Sequence, residues 1–566
     1  MNTRKQTIKN YKPLQALIAS SLIFTGAASF IVGALVLTAG VAEARTHGRV
    51  RHTSSSVAGA ASGGSKKGAS IVGGGTVAQT VDAWMKRPEI AHSRIGVEVM
   101  ELPSGRLIYS HDGDRRLTPA STAKVMTTSC AYELLGPNFQ YKTTLAGCGP
   151  VLSGVLKGDL VLEPSQDPSF DRGDLMRLVD DLKSGKGGER VNQIEGHAYV
   201  GEVPGGKESF QPTWLSEDFG QDWMPASSSL VMDRNIAYLS GFPKQFKVSE
   251  DKSTGYALLD CLLSSGEASS WVSFDSSSGT FHVLRGTALA PNGKHDPAIK
   301  HDGPFVIANP DAYNQAIFQA TLADRGITLS AGREGRGDAH VLAEHQSKPL
   351  SLIIKHCLYE SDNLYAQQLL RTIGATTLGA GAAVQGKAAE KANEKISGAT
   401  LEERGLNRLA DWLSSIGVPN SEVVLFDGCG LSRKDCISPH ALNLVLKHMA
   451  GPDVNGPYLN LMHQTGAKDG SGRFSLKTGA MDTVRGITGV LNNFSGQHLA
   501  VTAIINGHTP SVKNVRMALG DLVERLKRVK LPPAEPQANP VDAQAVATPA
   551  ASAPAAAAPV SAVKNN

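Results

Sequence analysis

Ser121-Thr122-Ala123-Lys124 constrains this chain more than any other stretch. With Thr118-Pro119 before it, it reads as a helix start, since Pro at the first helical position lacks only an N–H that the helix leaves unpaired there. Residues three apart share a helix face, so Lys124 can reach Ser121. A serine is a poor nucleophile until a neighbouring base takes its proton, and a lysine of lowered pKa is such a base. The pattern alone proves little. Ser-x-x-Lys recurs at Ser249–Lys252 and Ser561–Lys564, and an ordinary helix N-terminus with an exposed lysine looks the same. What sets Ser121 apart is two partners downstream, in order. Ser361-Asp362-Asn363 falls at a break between two helical segments, and Lys477-Thr478-Gly479 falls on a strand. Ser-x-Asn occurs nowhere else, and Lys-(Ser/Thr)-Gly only once more, at Lys183-Ser184-Gly185.

Arg4, Lys5, Lys9 and Lys12 precede an apolar, uncharged run that ends in Ala42-Glu43-Ala44, a small-x-small cleavage pattern. Residues 1–44 therefore read as an export signal or as an uncleaved membrane anchor, because the run is long enough to span a bilayer. Either places the body of the protein outside the cytoplasm. The net charge of +4, from 56 basic and 52 acidic residues, is too balanced to argue for nucleic acid. The 16 histidines are scattered and no His-Glu-x-x-His or Cys-x-x-Cys occurs, so neither a metal nor a cofactor is read. Six cysteines in an exported chain suggest disulfides. Nearness in sequence pairs Cys130 with Cys148 and Cys429 with Cys436, leaving Cys261 and Cys357 over.

Residues 45–76 are basic and rich in Gly and Ser, a flexible linker whose charge can hold it near an anionic surface. A first catalytic segment, 77–141, opens with a helix over Val77–Met85. Strands over Ile95–Glu101 and Arg106–Ser110 follow, and then a helix from Ser121 to Leu135, stopped by Gly136-Pro137. From 142 to 347, short apolar strands alternate with turn residues, as in a mostly β insert, and Asp311–Arg325 has helical spacing. A second catalytic segment, 348–530, carries helices over Leu350–Leu358, Leu364–Arg371, Leu401–Ile416, Pro439–Met449 and Val512–Val529. Its strands are Arg473–Gly479, Ile487–Leu491 and Leu499–Asn506, and Thr376–Thr400 reads as a mobile loop. The Pro- and Ala-rich residues 531–566 read as a disordered tail.

The ordered motifs resemble those of the penicillin-binding proteins. The gap from Ser121 to Ser361, about twice that from Ser361 to Lys477, is similar to that of one group within them. These are the low-molecular-mass class C, penicillin-binding protein 4-type D-alanyl-D-alanine carboxypeptidase/endopeptidases, in which extra domains interrupt the catalytic domain. Gly158-Asp159-Leu160, Asp167-Pro168-Ser169-Phe170, Glu360-Ser361-Asp362-Asn363-Leu364-Tyr365-Ala366 and Gly430-Leu431-Ser432-Arg433 match locally, and the likeness covers roughly residues 78–530. Cys429 departs from it, standing where the family usually has Ser.

The resemblance implies an α+β fold: a penicillin-binding/β-lactamase-like transpeptidase domain, an antiparallel sheet with flanking helices, interrupted by the insert. It implies that Ser121 attacks the carbonyl between two D-alanines while Lys124 takes its proton. Ser361 would relay that proton to the leaving amine, and Asn363 would bond both the lysine and the substrate amide. Lys477 and Thr478 would hold the terminal carboxylate, and Gly479 would leave room for a peptide along the strand edge. The backbone N–H groups of Ser121 and Ala480 would form the oxyanion hole, worth about 3–4 kcal/mol. Asp167 and Arg433 would contact a stem-peptide side chain such as meso-diaminopimelate, although Asp167 before Pro168 equally forms a turn and Arg433 equally serves as a surface charge.

For Lys124 to act near neutrality its pKa must fall roughly three units from about 10.4, and the resemblance implies that Lys477 lies across the same cleft, a cation that lowers it. The partners implied are peptidoglycan stem peptides, their cross-links and β-lactam antibiotics, in the periplasm. Carboxypeptidase and endopeptidase share one acyl-enzyme. A serine β-lactamase is the less fitting alternative, because Glu163-Pro164 lacks the Asn that normally follows a deacylating Glu. A catalytically weak penicillin-binding scaffold is another, and the intact motifs weigh against it.

Overall fold

The computed structural model describes residues 75–531 except 208, 216–217, 219–220, 243–244, 249–260, 266–270, 276–279, 286–300, 308, 331–337, 377–398, 468–469 and 509–510. The export segment, nearly all of the basic linker, the second Ser-x-x-Lys match, most of the Thr376–Thr400 loop and the C-terminal tail lie outside the described residues. Among the described residues no helix is long and apolar enough to cross a membrane.

A six-stranded antiparallel sheet organises the catalytic segments. Its order is His463–Thr465, Phe474–Met481, Val484–Asn492, His498–Asn506, Arg94–Leu102, Leu107–His111. The N-terminal hairpin thus completes a sheet whose other four strands come from the last part of the chain. Side chains alternate between two faces along each strand, and the central strands are buried on both. On one face Leu499, Val501, Ala503 and Ile505 share a core with helices Val77–Met85 and Val512–Leu526. The Trp84 indole N–H donates to the Ala518 carbonyl at 2.7 Å and ties those two helices together. On the other face Ala500 and Ile504 join a second, helical core.

Helix Lys124–Leu135 runs through that second core, buried from Lys124 to Ala131. It packs against helices Leu350–Glu360, Asn363–Ala375, Leu401–Ser415 and Pro439–Ala450. A helix covered all round needs partners for its polar side chains. Thr127 Oγ1 donates to the Gly428 carbonyl at 2.8 Å, and Thr128 shares a hydrogen bond of 2.7 Å with the Tyr458 hydroxyl.

The strand Lys142–Cys148 pairs antiparallel with Ala339–Gln346, Lys142 opposite Gln346, so the intervening chain leaves and returns at neighbouring points. That sheet continues through Asp159–Glu163 and Ala198–Val200. Helices Arg172–Ser184 and Pro310–Asp324 share a core with it, built on Leu145, Leu160, Leu162, Leu178 and Phe318. The Arg172–Ser184 helix was hidden by the turn-rich texture around it. Its signals are local: Asp171 and Asp174 form a capping box, and Gly185 ends the helix in the left-handed region at φ +77°. The second Lys-(Ser/Thr)-Gly match is only this helix end.

The disulfide expectation is corrected: Cys130, Cys148, Cys357, Cys429 and Cys436 are all free thiols. Closeness in sequence misleads here. Cys130 is buried in the helical core, whereas Cys148 ends a strand of the insert. Cys429 is buried in that helical core, its thiol pushed well up by burial, and Cys436 lies on the short strand Cys436–Ile437. The side chain of Cys261 lies outside the described residues.

Candidate active site

Ser121 lies on a one-turn 3-10 helix, Ala120–Ala123, that feeds helix Lys124–Leu135 without a break. Three neighbours clamp this turn. Asn506 brackets Thr118, accepting its N–H at 2.8 Å and donating to its carbonyl at 3.0 Å. Gly479 of the central sheet and Gly430 of the loop after Asp427 press on the turn backbone. A Cβ on Gly479 would lie 2.6 Å from the Pro119 carbonyl oxygen. One on Gly430, at φ +79°, would lie 2.0 Å from the Ala120 carbonyl oxygen. Only glycine fits at either place. Gly479 therefore makes room for the serine turn, which differs from the strand-edge role read from sequence.

Lys124 is fully buried. Its Nζ donates to Ser121 Oγ at 2.9 Å, Asn363 Oδ1 at 2.6 Å and the Cys429 carbonyl at 2.8 Å. Three donors meet three acceptors. Lys477, equally buried, donates from Nζ to Ser361 Oγ and to the Thr478 carbonyl, both at 2.8 Å. Burial, with the Lys124 cation adding to it, pushes the Lys477 ammonium down to about 7.

Ser361 ends helix Leu350–Glu360 in the left-handed region, φ +57°, and Asp362 caps helix Asn363–Ala375 by accepting the Tyr365 N–H at 3.1 Å. This tight break sends Ser361 Oγ to one lysine and Asn363 Oδ1 to the other. Burial opposes the charge of Asp362. His356, Arg234 at 2.6 Å and the Tyr365 N–H outweigh it and hold the carboxyl below its usual range. Asp362 thus serves as a helix cap, while the residues flanking it face the lysines.

Thr478 and Ala480 are exposed on their strand. Val484–Asn492 pairs with that strand along its whole length, but on the other side His463–Thr465 reaches only to Leu476. Among the described residues, the edge from Thr478 to Met481 is open to an added extended peptide.

A serine hydroxyl against a buried lysine, beside a second lysine–serine pair and an open strand edge, suits acyl transfer. The profile of the D-Ala-D-Ala carboxypeptidase 3 (S13) family matches residues 77–526. The chain belongs to that family. It is accordingly a hydrolase of the D-Ala-D-Ala carboxypeptidase class. A D-alanyl-D-alanine carboxypeptidase from an Actinomadura species is 26% identical over 469 residues, 76% of this chain and 81% of that one. D-alanyl-D-alanine carboxypeptidase DacB of Haemophilus influenzae is 25% identical over 489 residues, 80% of this chain and 91% of that one. The crystal structure of penicillin binding protein 4 from H. influenzae superposes with a TM-score of 0.59 at 22% identity, over 79% of this chain and 98% of that one. The shared fold is the penicillin-binding/β-lactamase-like arrangement expected from sequence.

Two residues of this S13 member stand apart from the lysine cluster. Asp167 is buried and accepts the N–H and hydroxyl of Ser169 at 2.8 and 2.6 Å, the turn that Pro168 suggests, and burial raises its carboxyl pKa. Arg433 is exposed. Among the described residues, neither hydrogen-bonds to Ser121, Lys124, Ser361, Asn363 or Lys477. Other residues near the site went unremarked in the sequence. The Asn363 amide nitrogen donates to the Trp223 carbonyl at 2.8 Å, and Trp214 and Asp427 stand behind Cys429. Only the Asp427-Gly428-Cys429-Gly430 turn chemistry hinted at the last of these.

Proposed function

We propose that this S13-family hydrolase cleaves the terminal D-Ala–D-Ala bond of peptidoglycan stem peptides. On the same reading it cuts D-Ala–diaminopimelate cross-bridges, in both cases through an acyl-enzyme on Ser121. The observation that carries this is the 2.9 Å hydrogen bond between Ser121 Oγ and a fully buried Lys124. Lys124, once neutral, takes the Ser121 proton as Oγ attacks. The developing oxyanion meets the N–H groups of Ser121 and Ala480. Ser361, bonded to Lys477, gives its hydroxyl proton to the leaving amine and takes in its place the proton that Lys124 drew from Ser121, so that Lys124 returns to the neutral amine.

Lys477 and Thr478 hold the substrate carboxylate. A carboxylate arriving beside Lys477 favours its charged form. Cutting a cross-bridge needs no other machinery, because only the leaving amine differs. Penicillin acylates the same serine, a reading supported by the β-lactam complex of the H. influenzae protein. The reaction belongs in the periplasm, reached by way of the N-terminal export segment.

Purified protein incubated with pentapeptide and cross-linked muropeptides tests this. Free D-alanine and uncrossed monomers are expected. If folded protein yields neither, the reading is wrong; D-alanine without cross-bridge cleavage removes the endopeptidase half.

A further inference from the structure

Two of the three acceptors around Lys124 are held by residues of the inserted segment. The first is Asn363. Its Oδ1 faces Lys124 because its amide nitrogen is engaged by the Trp223 carbonyl at 2.8 Å. The reversed amide would aim N–H groups at an ammonium, which has no acceptor to offer.

The second is the Cys429 carbonyl. The loop that presents it is wrapped around the buried Asp427 side chain. Oδ1 accepts the N–H groups of Cys429 at 2.8 Å and Gly430 at 2.6 Å, and Oδ2 accepts that of Ser432 at 2.7 Å. The fourth donor comes from the insert: the Trp214 indole N–H, 2.7 Å from Oδ2. Trp214 is only 7% exposed, its ring packed in the helical core. A further tie, Arg234 to Asp362 at 2.6 Å, joins the insert to the motif that carries Asn363.

We propose that the insert is a layer of the active site, and that Trp214, acting through Asp427 and the Cys429 carbonyl, is a positioning residue for Lys124. The inference rests on the acyl-enzyme reading above. With three N–H groups drawn onto Asp427, the Cys429 carbonyl is left to point at Lys124. The charge matters as well as the geometry. Two ionisable groups face Asp427 across this loop, and the Lys124 amine meets the Cys429 carbonyl that the loop presents. Burial and the Asp427 charge raise the Asp435 carboxyl well above its usual range, and the same two causes push the Cys429 thiol up. The indole N–H neutralises part of the Asp427 charge. Without it, more of that charge acts on Lys124 and favours the ammonium.

Trp214→Phe keeps an aromatic ring and removes the donor. Acylation by a fluorescent penicillin should slow about ten-fold at neutral pH, the low end of what a hydrogen bond to a charged group contributes. The acid limb of the acylation profile should move to higher pH, because a more basic amine holds its proton longer. Asp427→Asn, which removes the charge, should move the limb to lower pH. Loss of packing alone would lower the melting temperature and leave the limb in place, and that result overturns the proposal. If the Phe variant does not fold, the tryptophan isostere with sulfur in place of the ring N–H, placed at position 214, should show the same slowing and the same shift. Wild type that labels, with Trp214→Phe matching it in rate and profile, leaves Trp214 as core packing and overturns this inference alone. Folded wild type that does not label overturns both this inference and the acyl-enzyme reading.

Discussion

Two buried lysines share one cleft, and their neighbours divide the work between them. Lys124 meets Ser121, Asn363 and Cys429; Lys477 meets Ser361 and Thr478. Replacing Lys124 with Met removes the proposed base, and acylation should fall by about 10²–10⁴-fold in stopped-flow measurements with a chromogenic β-lactam. Lys477 is a stability matter as well. The unfolded chain holds that proton up to about 10.5 and the folded chain only to about 7. Below pH 7 both states are charged and the fold carries the full cost of the buried ammonium. Between the two values the unfolded state binds more protons, so stability rises with pH. Lys477→Met should therefore melt above wild type at pH 6, by an advantage that shrinks towards pH 10, each unit of the depression being worth about 1.4 kcal/mol. Calorimetry across that range checks it; a constant offset would show that charge is not the cause.

Elements were legible wherever a local period or cap carries the information. Thr76 and Gln79 form a capping box ahead of a helix whose limits, Val77–Met85, follow from sequence alone. The nearly unbroken apolar run through Leu499–Ile505 marks a strand buried on both faces. What could not be read is long-range. Trp214 and Asp427 are 213 positions apart, and no pattern along the chain links them. The depression of Lys477 needs its burial, which appears only once the helices close over the sheet. The reason for Gly430 was hidden in the same way, since the backbone it touches belongs to the serine turn. Gly430→Ala combines a left-handed φ with a backbone clash at 2.0 Å, so it should displace Ala120 and Ser121 and cut penicillin labelling more than ten-fold, an outcome tied to strain of about 1–3 kcal/mol. Gly496→Ala, at φ +75° with nothing within 4 Å of the added carbon, is the control: a modest loss of stability with labelling intact.

Across the whole molecule, the insert is joined to the catalytic segments by buried polar contacts. Arg371 is fully buried on the Asn363 helix; it donates to Glu402 at 2.5 Å, to Ser209 Oγ at 3.3 Å and to the Gly206 and Lys207 carbonyls. Arg371→Leu would strand Glu402 as an unpaired buried charge, and denaturant unfolding should show a loss of about 3–5 kcal/mol. A loss near zero would mean that this buried charge cluster contributes nothing net to stability. The central claim is that Ser121 is the acylated nucleophile. It is tested most directly by mass spectrometry of the intact protein after exposure to benzylpenicillin, followed by peptide mapping. The predicted result is a gain of one penicillin per chain, located on the peptide containing Ser121 and absent from Ser121→Ala; folded wild-type protein that gains no mass, or carries the adduct elsewhere, would contradict it.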